Sequence, residues 1–139
     1  MNSIYKQILS TIFFIFVSIT IFAQLDVVMA NCEKHLSEDY FSDGQQYISL
    51  LSGDQIAEFN VIFYGGNTYR IISGGNNKQK LNFTVYDINR NELFNNANFK
   101  NSDYWDIQFE STIECFIEAK LVSGNNNSGF AVFLIGVKK

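Results

Sequence analysis

Residues 55–72 read QIAEFNVIFYGGNTYRII, and this stretch decides the fold. Phe59, Val61 and Phe63 recur at every second position, while Glu58 and Asn60 fall on the other face, which is the period of a strand that buries one face. Gly65 and Gly66 follow, and glycine adopts the positive φ angles of a tight turn without steric cost. The stretch is therefore predicted to be a β-hairpin that ends at Ile72.

The rest of the chain repeats this alternation between turn signals rich in Gly, Asn, Asp and Ser. Trp105 shares an apolar face with Ile107 and Phe109, so it is predicted to pack in the core. The last segment, Phe130–Val137, is apolar at nearly every position, which predicts a central strand or a strand covered by a helix. The further predicted strands are Gln45–Leu51, Leu81–Tyr86, Leu93–Phe94, Trp105–Phe109, Ile113–Leu121 and Phe130–Val137. About eight short strands predict an all-β, jelly-roll-like antiparallel β-sandwich.

The N-terminus has the pattern of a secretory signal peptide over residues 1–23. Lys6 precedes an uncharged apolar run over residues 8–22, and Ala23 offers a small residue for cleavage. A membrane anchor is the rival interpretation, but the run is shorter than the ~20 residues that a spanning helix needs. We expect residues 24–139 to form a single secreted or periplasmic domain with no membrane span after cleavage.

A short amphipathic helix is predicted at about residues 25–36, at the start of the mature chain. Its apolar residues recur at steps of three and four, which places them on one face. They are Leu25, Val28, Met29, Cys32 and Leu36. This helix is expected to pack against the sandwich.

The mature chain is mildly acidic, because residues 24–139 hold nine Lys and Arg against 14 Asp and Glu, a net charge of −5. Lys78 with Lys80, and Lys138 with Lys139, are the small basic clusters. A nucleic-acid site needs a larger basic patch, so nucleic acid is excluded as a partner.

The order of strands and turns resembles the bacterial pre-peptidase C-terminal (PPC) domain over about Gln45 to Val137. The resemblance is carried by the glycine-rich turn and by segments 68–71 (TYRI), 85–87 (VYD), 112–121 and 129–135 (GFAVFLI). It implies a jelly-roll-like β-sandwich of the kind appended to secreted peptidases and other exported enzymes. Such domains are often credited with carbohydrate or surface binding.

The sequence offers little for catalysis. His35 is the sole histidine, and a Ser or Cys nucleophile needs a base beside it. Residues 87–92 (DINRNE) resemble the start of a calcium loop, but they lack its glycine and its bidentate Glu, so a plain turn is predicted. One His and two separated Cys do not make a zinc site. No catalytic residue, metal or cofactor is predicted.

Four tyrosines alternate away from the predicted core and are the candidate ligand-binding residues: Tyr64, Tyr69, Tyr86 and Tyr104. Aromatic faces beside Asn and Asp can hold a sugar or a partner protein. The alternative is that they pack under loops or the helix. The predicted function is a secreted, non-catalytic module that binds carbohydrate or a cell-surface partner. The alternative is a structural or interaction subunit of the envelope without a small-molecule ligand.

Cys32 and Cys115 are the two cysteines, and both lie on predicted apolar faces. Export permits oxidation, so a disulfide that pins the helix to a strand is one alternative. Two buried thiols are the other, because nothing in the sequence sets the ~5.5 Å Cα separation of a disulfide.

Overall fold

Eight strands and one long helix form the parts of the chain that the computed structural model describes, namely residues 2–75, 80–122 and 128–139. The elements are α1 (Asn2–Glu33), β1 (Tyr40–Ser52), β2 (Ala57–Phe63), β3 (Asn67–Gly74), β4 (Leu81–Asp87), β5 (Glu92–Asn95), β6 (Tyr104–Phe109), β7 (Ile113–Leu121) and β8 (Ser128–Lys138), with a 3₁₀ turn at Asn96–Phe99.

The strands form two four-stranded sheets, here called sheet A and sheet B. Sheet A has the order β1-β8-β3-β6 and sheet B the order β2-β7-β4-β5, and all pairs are antiparallel. A single apolar core drawn from both sheets includes Phe63, Phe83 and Phe133, none of which is exposed. The predicted all-β antiparallel architecture is confirmed.

The predicted hairpin is wrong, because β2 and β3 belong to different sheets. β2 pairs with β7, whereas β3 pairs with β6 and β8. Phe63 and Tyr69 meet across the core instead, with ring centroids 4.9 Å apart. Gly66 has φ of +80°, and a Cβ on Gly65 would lie 2.7 Å from Ser111 Cα. The glycines therefore turn the chain tightly against the β6–β7 turn while it crosses between sheets.

β8 is central, as its continuous apolar sequence predicted. It lies between β1 and β3 in sheet A. Phe133 and Ile135 face the core between the sheets, whereas Val132 and Leu134 are buried on the outer face under α1. Two buried faces explain why apolar residues follow one another without alternation.

Helix α1 runs without interruption from Asn2 to Glu33, so it ends before the predicted residue 36. Its C-terminal part docks on the outer face of sheet A, where Val28 and Cys32 contact a cluster that includes Ile72. Residues 3–22 are exposed, and Ser3–Glu33 is long and apolar enough to cross a membrane. The signal peptide stays a prediction.

The two cysteines are free thiols on opposite sides of sheet A. Cys32 lies on the outer face against Gly74, and Cys115 lies in the core between the sheets. Burial raises the pKa of Cys32 to about 12 and that of Cys115 to about 11. Of the two alternatives from the sequence, the structure has the buried thiols and not the disulfide, because an entire sheet separates the two side chains.

Trp105 packs against the core, as predicted, but at its rim. The indole is half-buried, and its ring centroid lies 5.0 Å from that of Phe94 and 4.2 Å from that of Phe99. Phe99 comes from the 3₁₀ turn, so the loop after β5 covers the tryptophan.

Candidate functional site

A cleft opens along one side of the sandwich, between edge strands β1 of sheet A and β2 of sheet B. It has a volume of about 500 Å³. We call it the tyrosine cleft. Its lining residues are Asp43, Gln45, Tyr47, Asn60, Ile62, Tyr64, Tyr69 and Val137. Concave sites that combine apolar and aromatic surface with a few polar groups are typical of binding sites.

A bulge in β1 shapes one wall of the cleft. Ser42 pairs with Gly136 and Gln46 with Leu134, so residues 43–45 oppose a single residue of β8. Gly44 has φ of +81°. The bulge is held locally, because Gly44 N–H donates to Ser42 Oγ (3.1 Å) and Gln45 N–H donates to the Asp43 carboxylate (2.9 Å). Bulges re-aim side chains, and this one brings residues 43 and 45 to the cleft.

The predicted strand at residues 45–51 was therefore too short, since β1 starts at Tyr40. Asp43 and Gly44 lie just outside that predicted strand, and these residue types favour turns. A glycine within a strand also marks a bulge, and that signal could have extended the strand and found Asp43.

Asp43 is half-buried in the cleft wall, and this burial raises its pKa above the ordinary value. Within the described residues, no basic side chain makes a salt bridge with its carboxylate. Tyr47 is also half-buried, and burial together with the negative charge of Asp43 raises its pKa. The Tyr47 hydroxyl donates to Gln45 Oε1 at 2.6 Å.

Two of the four predicted tyrosines line the cleft. Tyr64 is 62% exposed. Tyr69 was predicted to face outward, which is wrong: its ring packs in the core against Phe63 and Phe109 because β3 lies in the opposite sheet. Its hydroxyl still reaches the cleft and accepts a hydrogen bond from the backbone N–H of Tyr64 (3.0 Å).

Tyr86 lies on a different surface, the outer face of sheet B, where it is half-buried and pairs with Phe116 of β7. Arg90 covers Phe116 with its guanidinium 4.4 Å from the ring centroid, and it bridges Glu58 (2.9 Å) and Glu118 (3.0 Å). A groove of about 160 Å³ beside Tyr86 is smaller than the tyrosine cleft.

Tyr104 lies on the outer face of sheet A in what we call the Arg70 cluster: Arg70, Tyr40, Tyr104 and Asp106. The guanidinium carbon lies 4.2 Å from the Tyr40 ring centroid and 4.6 Å from that of Tyr104. Two guanidinium nitrogens donate to the Asp106 carboxylate at 2.7 and 2.8 Å. A third hydrogen bond of 3.0 Å runs to the backbone carbonyl of His35, so the cluster fastens the turn after α1 to the sheet.

Cys32 and His35 line a further cleft, of about 400 Å³, at the end of α1. Cysteine and histidine are the residue types of thiol hydrolases, but a nucleophilic thiol needs a low pKa. Burial raises the pKa of Cys32 to about 12. The His35 ring packs against Tyr104 in a tilted arrangement, with centroids 5.0 Å apart and an interplanar angle of 37°. This arrangement does not activate the thiol.

The segment that resembled a calcium loop is a closed turn. The Asp87 carboxylate accepts hydrogen bonds of 2.8 Å from the backbone N–H groups of Asn89 and Asn91 and from the Asn91 amide. These hydrogen bonds lower the pKa of Asp87. In the part of the chain that the structure describes, no group of three or more His, Cys, Asp or Glu is placed to hold a metal.

Comparison with known proteins gives a likeness in fold. No protein-family model matches the sequence, and no curated protein matches it. Among solved structures, the chain is similar to Aeromonas hydrophila PliG, a periplasmic lysozyme inhibitor of g-type lysozyme, with a TM-score of 0.55 and 12% sequence identity. The likeness covers 73% of this chain and 90% of that one. At this identity the comparison shows a shared fold.

Proposed function

We propose that this chain is an exported, non-catalytic module that binds a protein partner through the tyrosine cleft. The observation that carries the proposal is the cleft itself, in which Tyr47 and the exposed Tyr64 stand beside polar side chains on two sheet edges. Tyrosine is enriched at protein interfaces because its ring is rigid and apolar while its hydroxyl forms hydrogen bonds.

The fold likeness to PliG supports a protein partner over a sugar, since that protein is by its name an inhibitor of g-type lysozyme. A lysozyme of this class is accordingly the first candidate partner. The carbohydrate alternative is supported by the groove beside Tyr86, where Asn82 and Asn95 supply amides next to an aromatic ring. That groove is the smaller site, and we favour the protein partner.

Export is part of the proposal. It is supported by the exposed apolar helix over residues 3–22 and by Ala23 after it. We also propose a jelly-roll-like connectivity, supported by eight strands in two sheets whose edge strands are β1, β6, β2 and β5. Kinship with PPC domains remains a proposal supported by the segments that resemble them.

The test measures whether g-type lysozyme binds the protein recovered from a secreting host. Biolayer interferometry measures the affinity, and a cell-wall lysis assay measures whether the lysozyme is inhibited. Tyr64→Ala is expected to weaken binding about tenfold or more, as truncation of an interface tyrosine does. Ile88→Ala is the control, because Ile88 is 60% exposed and lies on the turn after β4, away from the cleft.

Equal loss in both variants would contradict the placement of the site in the cleft. If the protein does not bind g-type lysozyme, then that lysozyme is not its partner. Loss of binding in Tyr86→Ala, with Tyr64→Ala unaffected, would move the site to the outer face of sheet B.

A further inference from the structure

We infer that the tyrosine cleft receives a lysine or arginine side chain from the surface of its protein partner, held between the Asp43 carboxylate and the rings of Tyr47 and Tyr64. This inference rests on the proposed function and gives it a chemistry. It follows from four features of the cleft.

The first feature is a carboxylate that the chain itself does not neutralise. One oxygen of Asp43 accepts a single hydrogen bond from Gln45 N–H, and no second hydrogen bond reaches the carboxylate within residues 2–75, 80–122 and 128–139. No basic group in those ranges lies within salt-bridge distance of it. Partly burying such a charge is unfavourable, and the raised pKa of Asp43 reflects this. A cation entering the cleft would offset that cost.

The second feature is the aromatic lining. The ring of Tyr64 is largely exposed, and the hydroxyl of Tyr47 is fixed by its hydrogen bond to Gln45. Lysine and arginine bind the faces of aromatic rings, and the attraction grows as water is excluded. A guanidinium or ammonium beside Asp43 would therefore gain contacts that a neutral side chain lacks.

The third feature is the orientation of Asn60. Its amide nitrogen donates to Glu114 Oε1 at 2.7 Å. The amide oxygen is left as an acceptor, and lysine and arginine side chains carry donors only. The cleft thus presents oxygen acceptors from β1 and from β2, on its two sides.

The fourth feature is a precedent inside the same molecule. In the Arg70 cluster a guanidinium contacts two tyrosine rings and donates to an aspartate with two of its three nitrogens, Nε and Nη2. The tyrosine cleft combines the same residue types. The chain therefore already holds an arginine with the arrangement that we assign to the partner's side chain.

Net charge favours the same class of partner. The chain after residue 23 has a net charge of −5. Opposite charge accelerates association and selects against acidic proteins. A basic protein surface is therefore the expected partner.

The experiment uses the ¹⁵N-labelled protein in the form that a secreting host releases. It is titrated with N-acetyl-arginine amide and followed by NMR. N-acetyl-citrulline amide is the matched ligand control, because it has nearly the same shape and no charge. The arginine probe should shift the backbone signals of Asp43, Gly44, Gln45 and Tyr64, and binding should weaken as salt is added. The citrulline probe should leave these signals in place.

Asp43→Asn is expected to lower affinity for the arginine probe about fivefold or more, as loss of a charged hydrogen-bond partner does. The substitution keeps the oxygen that accepts from Gln45 N–H, so the bulge should survive. Asp54→Asn is the matched control, since it removes the same charge from the exposed turn between β1 and β2. Equal shifts with both probes, or equal loss in both variants, would overturn the inference.

The outcomes also separate this inference from the proposed function. Lysozyme binding that is lost in Tyr64→Ala but intact in Asp43→Asn would support a protein-binding cleft and overturn the cation. Probe binding that depends on Asp43, without lysozyme binding, would support the cation and overturn the lysozyme. Neither result can be mistaken for the other.

Discussion

The Arg70 cluster and the tyrosine cleft combine the same residue types with opposite results. In the Arg70 cluster the chain supplies the cation, and the side chain of Arg70 is only 15% exposed. In the cleft, Asp43 has no basic side chain within salt-bridge distance among the described residues. Tyrosines and an aspartate stabilise the fold where the arginine is internal. In the cleft, by our proposal, a partner supplies the cation.

The electrostatics of the two aspartates show the same contrast. Arg70 lowers the pKa of Asp106 through its hydrogen bonds, whereas burial raises the pKa of Asp43. An internal partner makes ionisation favourable in the first case. Burial without a partner makes it costly in the second.

The largest expected effect comes from removing the internal cation. Arg70→Met should lower the free energy of unfolding by about 2 to 4 kcal/mol, because it leaves a partly buried carboxylate unpaired and removes two cation–π contacts. Urea denaturation followed by tyrosine and tryptophan fluorescence measures the change.

Arg90→Met is the matched control for that experiment. Arg90 also pairs with carboxylates and covers an aromatic ring, but its side chain is 49% exposed. Exposed ion pairs contribute little to stability, so its loss should be much smaller than that of Arg70. Comparable losses in the two variants would mean that burial does not distinguish the sites.

The fold could largely be predicted from alternation and turn residues, because burial on one face imposes a period of two on each strand. The pairing of the strands could not be predicted in this way. The Gly65-Gly66 turn has the residues of a hairpin, yet it joins two sheets, since the choice of partner depends on contacts with Ser111 and Thr112 that are distant in sequence. Local turn chemistry fixes that the chain reverses, but not which sheet it enters.

The candidate site was predicted in part. Tyr64 was found because it is outward-facing, but Asp43 was missed because a bulge brings it to the cleft. Tyr47 lies within the predicted strand 45–51 and was not singled out, because the alternation does not show that a cleft opens beside that strand. Tyr69 was assigned to the wrong face, since its orientation depends on which sheet holds β3. Tyr104 faces outward as expected, but Arg70 and His35 contact its ring, and no local pattern reveals contacts with residues that lie 34 and 69 positions away in sequence.

A smaller effect is expected for Asp106→Asn, about 1 kcal/mol of stability at pH 7, as for a partly exposed ion pair. The pKa of Asp106 is lowered in the folded state, so its contribution is present above the unfolded pKa and is lost as pH falls through the folded value. Urea titrations between pH 7 and pH 2 should therefore show the variant and the parent converging in acid. A difference that does not change with pH would contradict the ion pair as its cause.

The smallest expected effect has the opposite sign and concerns Asp43→Asn. Because the folded state raises the pKa of Asp43, the parent is most stable below the unfolded pKa and loses stability as pH rises through the folded value. The asparagine variant escapes that loss, so it should be slightly more stable than the parent at pH 7 and equal to it in acid. Paired urea titrations at pH 7 and pH 3 measure the difference.

A variant less stable than its parent at pH 7 would mean that Asp43 stabilises the fold as Asp106 does, and the tyrosine cleft would then no longer differ from the Arg70 cluster. We expect Asp43→Asn to raise the free energy of unfolding at pH 7 and to weaken binding of the arginine probe. Both results together would mean that the Asp43 carboxylate destabilises the fold slightly and serves to bind a partner.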